Sequence, residues 1–299
     1  MRRSAALAVA MLFAATGSVR ADEPGAWGAS ATLRVGSVAA PFFTEALSEV
    51  SSEFTQARLL VVEGTYQVAR RLTVGGRLPA APSTVRQPAG SYSDEKAFGN
   101  PELFVEDRTL SRSLAGVAVR AAARIGVGIP LAEHGSRSSL LQNRVVALSS
   151  ALDGWRNPEL YEPGVIPIAL SARAVIDPSP WGASASAKLP VMVRISDASL
   201  PSEADTRAIG IVPHVELRGT FRPLGWLELD AGAFVVVQAR APVAPSDRSA
   251  RSGSIQLGIE PRIRFHISDD IALHADFNAA LGGPLSGTYG IGLGLGIER

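Results

Sequence analysis

Along the stretch 117–129 every second residue is apolar (Val117, Val119, Ala121, Ala123, Ile125, Val127, Ile129), and glycine, alanine and two arginines, Arg120 and Arg124, fill the places between. An extended chain separates two such sets, because successive strand side chains point to opposite faces. A helix would also bring Arg120 and Arg124 together, four residues apart. It would, however, scatter the branched residues around its surface, and each glycine would cost it about 1 kcal/mol relative to alanine. The segment reads as a strand with one wholly apolar face and one face carrying guanidinium groups.

The same two-residue period returns along the chain. In 181–195 the apolar set runs from Trp181 to Ile195 at odd positions, with Lys188 and Arg194 opposite. In 208–221, Ile209, Ile211, Val215, Leu217 and Phe221 oppose His214, Glu216 and Arg218. In 227–239, Leu227, Leu229, Val235 and Val237 oppose Glu228, Asp230 and Gln238. In 255–267, Ile255, Leu257, Ile263 and Phe265 oppose Glu260, Arg262, Arg264 and His266. In 271–281, Leu273 and Phe277 oppose His274, Asp276 and Asn278, and in 289–297 Tyr289, Ile291, Leu293 and Leu295 alternate with glycines. Segments 27–38, 56–68, 72–78, 102–109 and 165–176 alternate less cleanly. About twelve strands of roughly ten residues are expected, the length that crosses a bilayer as a tilted strand.

The connections sort the architectures. Tight links at 69–71, 110–113, 177–180, 222–225 and 268–270 alternate with long ones at about 39–54, 79–99, 131–163, 196–206, 241–253 and 282–287. Outer-membrane barrels have this asymmetry of short periplasmic turns and longer external loops. The expected fold is all-β: a transmembrane antiparallel β-barrel of about twelve strands, one domain over 22–299. A charged and apolar opening, Arg2 and Arg3 before "AALAVAMLFAATG", ending on Val19 and Ala21, has the order of a cleaved secretory signal over 1–21. The chain has no cysteine, so it is not a disulfide-stapled domain. Its net charge of +1 argues against a nucleic-acid partner.

A soluble barrel turns its apolar face inward, and a membrane barrel inverts this. Three features favour lipid outside: a polar face dense in both signs of charge, apolar stripes continuous along whole strands, and Trp27, Trp181, Trp226 and Tyr289 at strand ends, where interfacial girdles form. The lumen-lining candidates are then Arg120, Arg124, Arg173, Lys188, His214, Glu216, Arg218, Glu228, Asp230, Glu260, Arg262, Arg264, His266, His274 and Asp276. Arginine–carboxylate pairing across the lumen is their expected role. Pro190, Pro213 and Pro261 fall inside strands, where each removes a ladder donor; bulges or different boundaries are expected there.

No catalytic or metal motif stands out. His214, His266 and His274 share the polar face without HxH or HExxH spacing, and no GxSxG accompanies His274 and Asp276. The glycines of "GIGLGLG" (290–296) recur every second residue with no helix after them, so they leave the lumen wall bare and let the last strand bend rather than bind a nucleotide. Segment 135–155 has apolar residues at helical spacing (Leu140, Leu141, Val145, Leu148, Leu152); it is either a short helix that plugs the mouth or a loop packed on itself, and 41–54 looks similar.

At "AFGNPELFVEDRTL" and the strand that follows, the chain resembles the outer-membrane transporter family associated with meta-pathway phenol degradation. That pattern opens a strand with a Gly-Asp/Asn pair, here Gly99-Asn100-Pro101, and ends a long strand in Leu-Pro or Ile-Pro, here Ile129-Pro130. The hairpins "YQVARRLTVGGRLP" and "IEPRIRFHISDDIALHADFNAALGG" are similar to the family's early and closing hairpins. The resemblance implies a passive barrel for small hydrophobic or aromatic compounds, without cofactor. Asn100 replaces the commoner acid, and Arg299 stands where such barrels usually finish on an aromatic residue.

The expected function is an outer-membrane channel or transporter for small molecules, with membrane lipid and solute as partners, no cofactor, no metal and no covalent chemistry. The alternatives are a structural or adhesive barrel without transport, a barrel enzyme, and a secreted soluble β-protein.

Overall fold

A computed structural model describes residues 24–38, 55–86, 92–114, 117–132, 150–162, 164–196, 205–206, 208–240, 243–244 and 254–299. The expected signal over 1–21, the segment 39–54 and His134 lie outside them. The strands are β1 (Trp27–Val38), β2 (Thr55–Ala69), β3 (Leu72–Arg86), β4 (Tyr92–Phe98), β5 (Glu102–Leu114), β6 (Val117–Gly128), β7 (Val165–Ile176), β8 (Trp181–Arg194), β9 (Asp205–Thr206), β10 (Ile209–Ile211), β11 (His214–Leu224), β12 (Leu227–Gln238), β13 (Val243–Ala244), β14 (Ser254–His266), β15 (Ile271–Gly282) and β16 (Tyr289–Glu298).

Antiparallel pairing follows chain order, and β16 pairs β1 from Gly28↔Glu298 to Ser37↔Tyr289, so the sheet closes on itself. β4 and β5 both pair β3 and form one stave broken at Gly99–Pro101, while β10 and β11 both pair β8 and form another broken at Val212–Pro213. The result is a closed barrel of twelve staves. β9 and β13 make a separate two-stranded ribbon between two long links. Closure matters energetically, because in hydrocarbon an unpaired backbone edge has no water to bond. Among the described residues no helix is long and apolar enough to cross a membrane; strands do the crossing.

The alternation now has a direction. Leu217 and Leu293 are 61% and 62% exposed, while Glu260 and Asp276 are 1% and 3% exposed. Leucines outside and carboxylates inside is the order of a barrel solvated by lipid. Trp27, Trp181, Trp226 and Tyr289 are exposed near strand ends, and Trp181 stacks on Phe221 at 4.2 Å between ring centroids.

Several expected boundaries are corrected. Residues 110–113 do not turn: β5 continues to Leu114, because a register shift between Asp107 and Leu110 absorbs the mismatch with β6. The tight turn expected at 222–225 falls at Gly225–Trp226, after a similar shift between Phe221 and Leu224. β3 runs beyond Leu78 to Arg86 and pairs β4, so much of the supposed loop 79–99 is a hairpin extending the wall.

The prolines sit where no ladder donor is needed. Pro213 lies in the break between β10 and β11, and Pro190 of β8 faces that same break, since β8 pairs β11 up to Lys188 and β10 from Val191. Pro261 pairs Ala231 on one side, while on the other the β14–β15 ladder is interrupted between Ile259 and Arg262. One missing N–H per proline is thereby placed against a gap.

Candidate functional site

All fifteen candidate residues occupy inner-face positions, and most of their charges are paired. Glu260 is the hub. Its Oε2 accepts from Arg34 at 3.0 Å and Arg156 at 2.5 Å, and its Oε1 accepts from Arg218 at 2.8 Å and Arg262 at 2.7 Å. Arg34 also donates to Asp276 at 2.6 Å and to Asp153 at 2.5 Å. Arg218 reaches Glu216 at 2.6 Å, and Asp230 accepts from Thr220 at 2.6 Å. Charges this deep persist only when each is hydrogen-bonded to an opposite one. The bare inner face of β16 makes room for this: a Cβ at Gly292 would strike the Asp276 carboxylate, one at Gly294 the His274 ring, and one at Gly290 would strike Leu152 and Arg34. The glycines that leave the wall bare thus free space for neighbouring side chains to occupy.

Two members of the network, Asp153 and Arg156, belong to no strand. They lie on the segment 150–162, inside the long link expected at 131–163. Leu140, Leu141, Val145 and Leu148, which carry the helical spacing of that link, lie outside the described residues; its described part, a helical turn at 150–152 and a 3-10 turn, Pro158–Leu160, is inserted in the lumen. Leu152, Trp155, Leu160 and Tyr161 are buried against Val38, Leu59, Met192, Phe234 and Val236, which line the long-link end of the barrel. Burying each such side chain is worth about 1.5–3 kcal/mol relative to exposure. The turn reverses through Gly154 at φ +67° and Trp155 at φ +60°. Gly154 is required twice over, since a Cβ there would also meet the Phe234 ring.

Polar contacts fix the plug in place. The Asn100 amide nitrogen donates to the carbonyls of Glu159 at 3.0 Å and Glu162 at 2.7 Å, its oxygen accepts from the Ala132 amide at 2.9 Å, and its own amide donates to the Leu160 carbonyl at 2.7 Å. Gly99 beside it presses so close to the Leu160 carbonyl that a Cβ would not fit. The departure from the commoner acid at position 100 has a reason: a carboxylate could not donate to two carbonyls. Lys188 pairs with Glu159, and Arg194 donates to Glu162 at 3.1 Å.

The plug's carboxyls are tuned in opposite directions. Burial alone would raise Asp153, but Arg156 and Arg34 outweigh it and hold the carboxyl below the usual range. Burial raises Glu159 and Glu162 above theirs, against the pull of Lys188 and Arg194 respectively.

Two smaller clusters complete the lumen. Arg77 donates to Glu63 at 2.5 Å; Arg124 lies 3.4 Å from Glu102 and 3.5 Å from Glu63, with its guanidinium 3.2 Å over the Phe104 ring centroid. Toward the tight turns, Glu228 joins Arg222 at 2.7 Å and Arg264 at 2.8 Å, and Asp177 pairs with Arg120 at 3.3 Å and with Arg222. The histidines are not brought together as ligands: His274 contacts Thr32 at 3.3 Å, and among the described residues no group of three metal-binding side chains forms. Arg173 faces inward yet is exposed, so water reaches the lumen at its level.

These features match a known barrel in outline. The structure is similar to the COG4313 outer membrane channel from Pseudomonas putida F1, at TM-score 0.59 and 13% identity over 95% of this chain and all of that one. The chain has the fold of an outer-membrane barrel. The NanC porin matches at TM-score 0.48 and 6% identity over 90% of this chain and all of that one. The translocator domain of the autotransporter NalP from Neisseria meningitidis matches at 0.48 and 11%, over 92% and 89%. No protein-family model and no curated protein matches the sequence.

Further charges point into the lumen beyond the expected ones, among them Arg34, Glu63, Arg77 and Glu102 from strands, and Asp153 and Arg156 from the plug. Arg34 had a signal: it stands between Leu33 and Val35, both exposed to lipid, so the alternation alone turns it inward. Asp153 and Arg156 had none, because their place in the lumen depends on a loop folding back.

Proposed function

We propose that the protein is a passive channel of the outer membrane for small molecules, closed toward the long-link end by the segment 150–162 and open to water from the tight-turn end. The observation that carries this reading is the inward-pointing yet exposed Arg173, with the water-accessible Arg120, in the tight-turn half of a lumen whose long-link end is occupied by the plug. A barrel kept only as a scaffold has no use for a water-accessible charged vestibule, whereas a gated passage needs one. Small hydrophobic or aromatic compounds are the cargo class implied by the resemblance to the phenol-degradation transporters. The plug is also what favours a second reading, a structural barrel without transport, since it fills the mouth.

Purified protein in planar bilayers separates the two. Discrete conductance steps that become larger or more frequent when Asn100 is replaced by Asp support the channel. Absence of current from both proteins, each folded by heat-modifiable gel migration, supports the scaffold.

A further inference from the structure

A groove of about 770 Å³ runs over the outer wall across β1, β2, β3, β5 and β6. Ladder register builds it from two neighbouring rows. Trp27, Tyr66, Val74, Val105 and Ile125 pair in turn across the five strands and form its raised edge toward the tight turns. Two residues farther from the turns, Ala29, Gly64 and Gly76 pair in the same way and form a low floor, which Leu103 closes on the β5 side. Nothing of the protein lies within 4 Å of a Cβ built on Gly64, whereas one on Gly76 would meet Leu103 at 3.4 Å. Glu63, Arg77 and Glu102 alternate with these residues and pair inside the lumen, so both rows face the hydrocarbon.

An unfilled apolar hollow forfeits the contacts of its lining. Water does not fill it at hydrocarbon depth, and the groove is continuous with the surface that lipid tails already cover. Its height on the barrel selects the leaflet. The β2–β3 turn carries Arg70 and Arg71, both exposed and outside every ion pair among the described residues. Arg70 follows Tyr66 by four residues, about 13 Å along a strand, or about 10 Å of depth at a tilt of about 40°. The groove therefore lies within one half of a hydrocarbon core of about 30 Å, below two guanidinium groups at the level of the lipid heads. Asp107 shares that rim in register with Leu72, and Arg108 is occupied by Glu106. A phosphate suits Arg70 and Arg71, since charge-assisted bonds from guanidinium to phosphate are among the strong ones. Short turns of outer-membrane barrels face the periplasm, so the leaflet is the inner one.

We propose that this groove holds one acyl chain of an anionic glycerophospholipid from the periplasmic leaflet, with its phosphate on Arg70 and Arg71. The site lies outside the lumen and does not depend on whether the barrel conducts.

The test is native mass spectrometry of the full-length protein in mild detergent, with phosphatidylglycerol or phosphatidylcholine added. Wild type should keep one phosphatidylglycerol after weaker adducts are stripped. Gly64→Leu fills the floor and should reduce the retained lipid at least about tenfold, the worth of one buried leucine-sized contact. Gly219→Leu is the control, since Gly219 is also an outward glycine with nothing within 4 Å of a new Cβ; it should retain the lipid as wild type does. Arg70→Ser with Arg71→Ser should remove the preference for phosphatidylglycerol over phosphatidylcholine. Should Gly64→Leu fail to fold by heat-modifiable migration, Tyr66→Ala lowers the raised edge instead and should also weaken retention. Equal retention in wild type and Gly64→Leu, or equal loss in Gly219→Leu, overturns the site. A dimer that Gly64→Leu dissociates, with no lipid retained, assigns the groove to a second copy and overturns the lipid. Loss in Gly64→Leu without any effect of the arginine variant overturns the phosphate contact alone.

Discussion

Glu260 holds four guanidinium groups with two oxygens, two on each. Removing that one carboxylate takes a partner from all four, and leaves Asp153, Asp276 and Glu216 as the remaining acceptors for Arg34, Arg156 and Arg218. Breaking a buried ion pair from one side costs about 3–5 kcal/mol, so Glu260→Gln should lower the temperature of heat-induced gel-mobility change sharply, whereas Asp177→Asn near an exposed turn should hardly move it. Space is as strict as charge. Gly292→Val should prevent assembly, because its side chain would occupy the place of the Asp276 carboxylate, while Gly219→Val, where nothing lies within 4 Å of a new Cβ, should fold normally; yield of the heat-modifiable form measures both. The glycine alternation showed in the sequence as a bare wall. What it accommodates did not, because that depends on which strand closes beside it.

At the scale of elements, the plug and its latch decide the outcome. Asn100→Asp replaces two donated hydrogen bonds with carboxylate oxygens against the Glu159 and Glu162 carbonyls. Losing both and burying acceptor against acceptor should cost about 2–5 kcal/mol, releasing the plug without unfolding the barrel; protease cleavage within 150–162 should become rapid while the barrel stays heat-modifiable. Docking should also depend on pH from two sides. Asp153 titrates low when docked, so its contribution is complete above the usual carboxylate range and disappears as pH falls through the lowered value. Glu159 and Glu162 titrate high when docked, so theirs is complete below that range and disappears as pH rises through the raised values. Protection of the plug from protease should therefore peak between the two, and Asp153→Asn should erase only the acid-side loss. The strands were readable because alternation records which face meets lipid. The plug seat was half-readable: the run Phe234–Val237 is apolar on both faces, which marks an inner wall that touches something other than water. The plug itself was ambiguous, since helical spacing of leucines in a loop does not say where the loop folds.

For the whole molecule, twelve staves, alternating link lengths and an apolar exterior all followed from period and spacing, and the closed ladder from β16 to β1 completes them. The two arginines of 117–129 now have places: Arg124 lies over Phe104 between Glu63 and Glu102, and Arg120 stands near the tight turn beside Asp177. Which charges meet was beyond the sequence, because pairs as far apart in the chain as Arg34 and Asp276 become neighbours over Gly292 only when β16 closes on β1. If the segment 150–162 holds a membrane channel shut, single-channel recording of wild type beside the double variant Asp153→Asn, Arg156→Gln should show small or infrequent openings in wild type and openings several-fold larger or more frequent in the variant; identical traces from two properly folded proteins would mean that this segment is no gate.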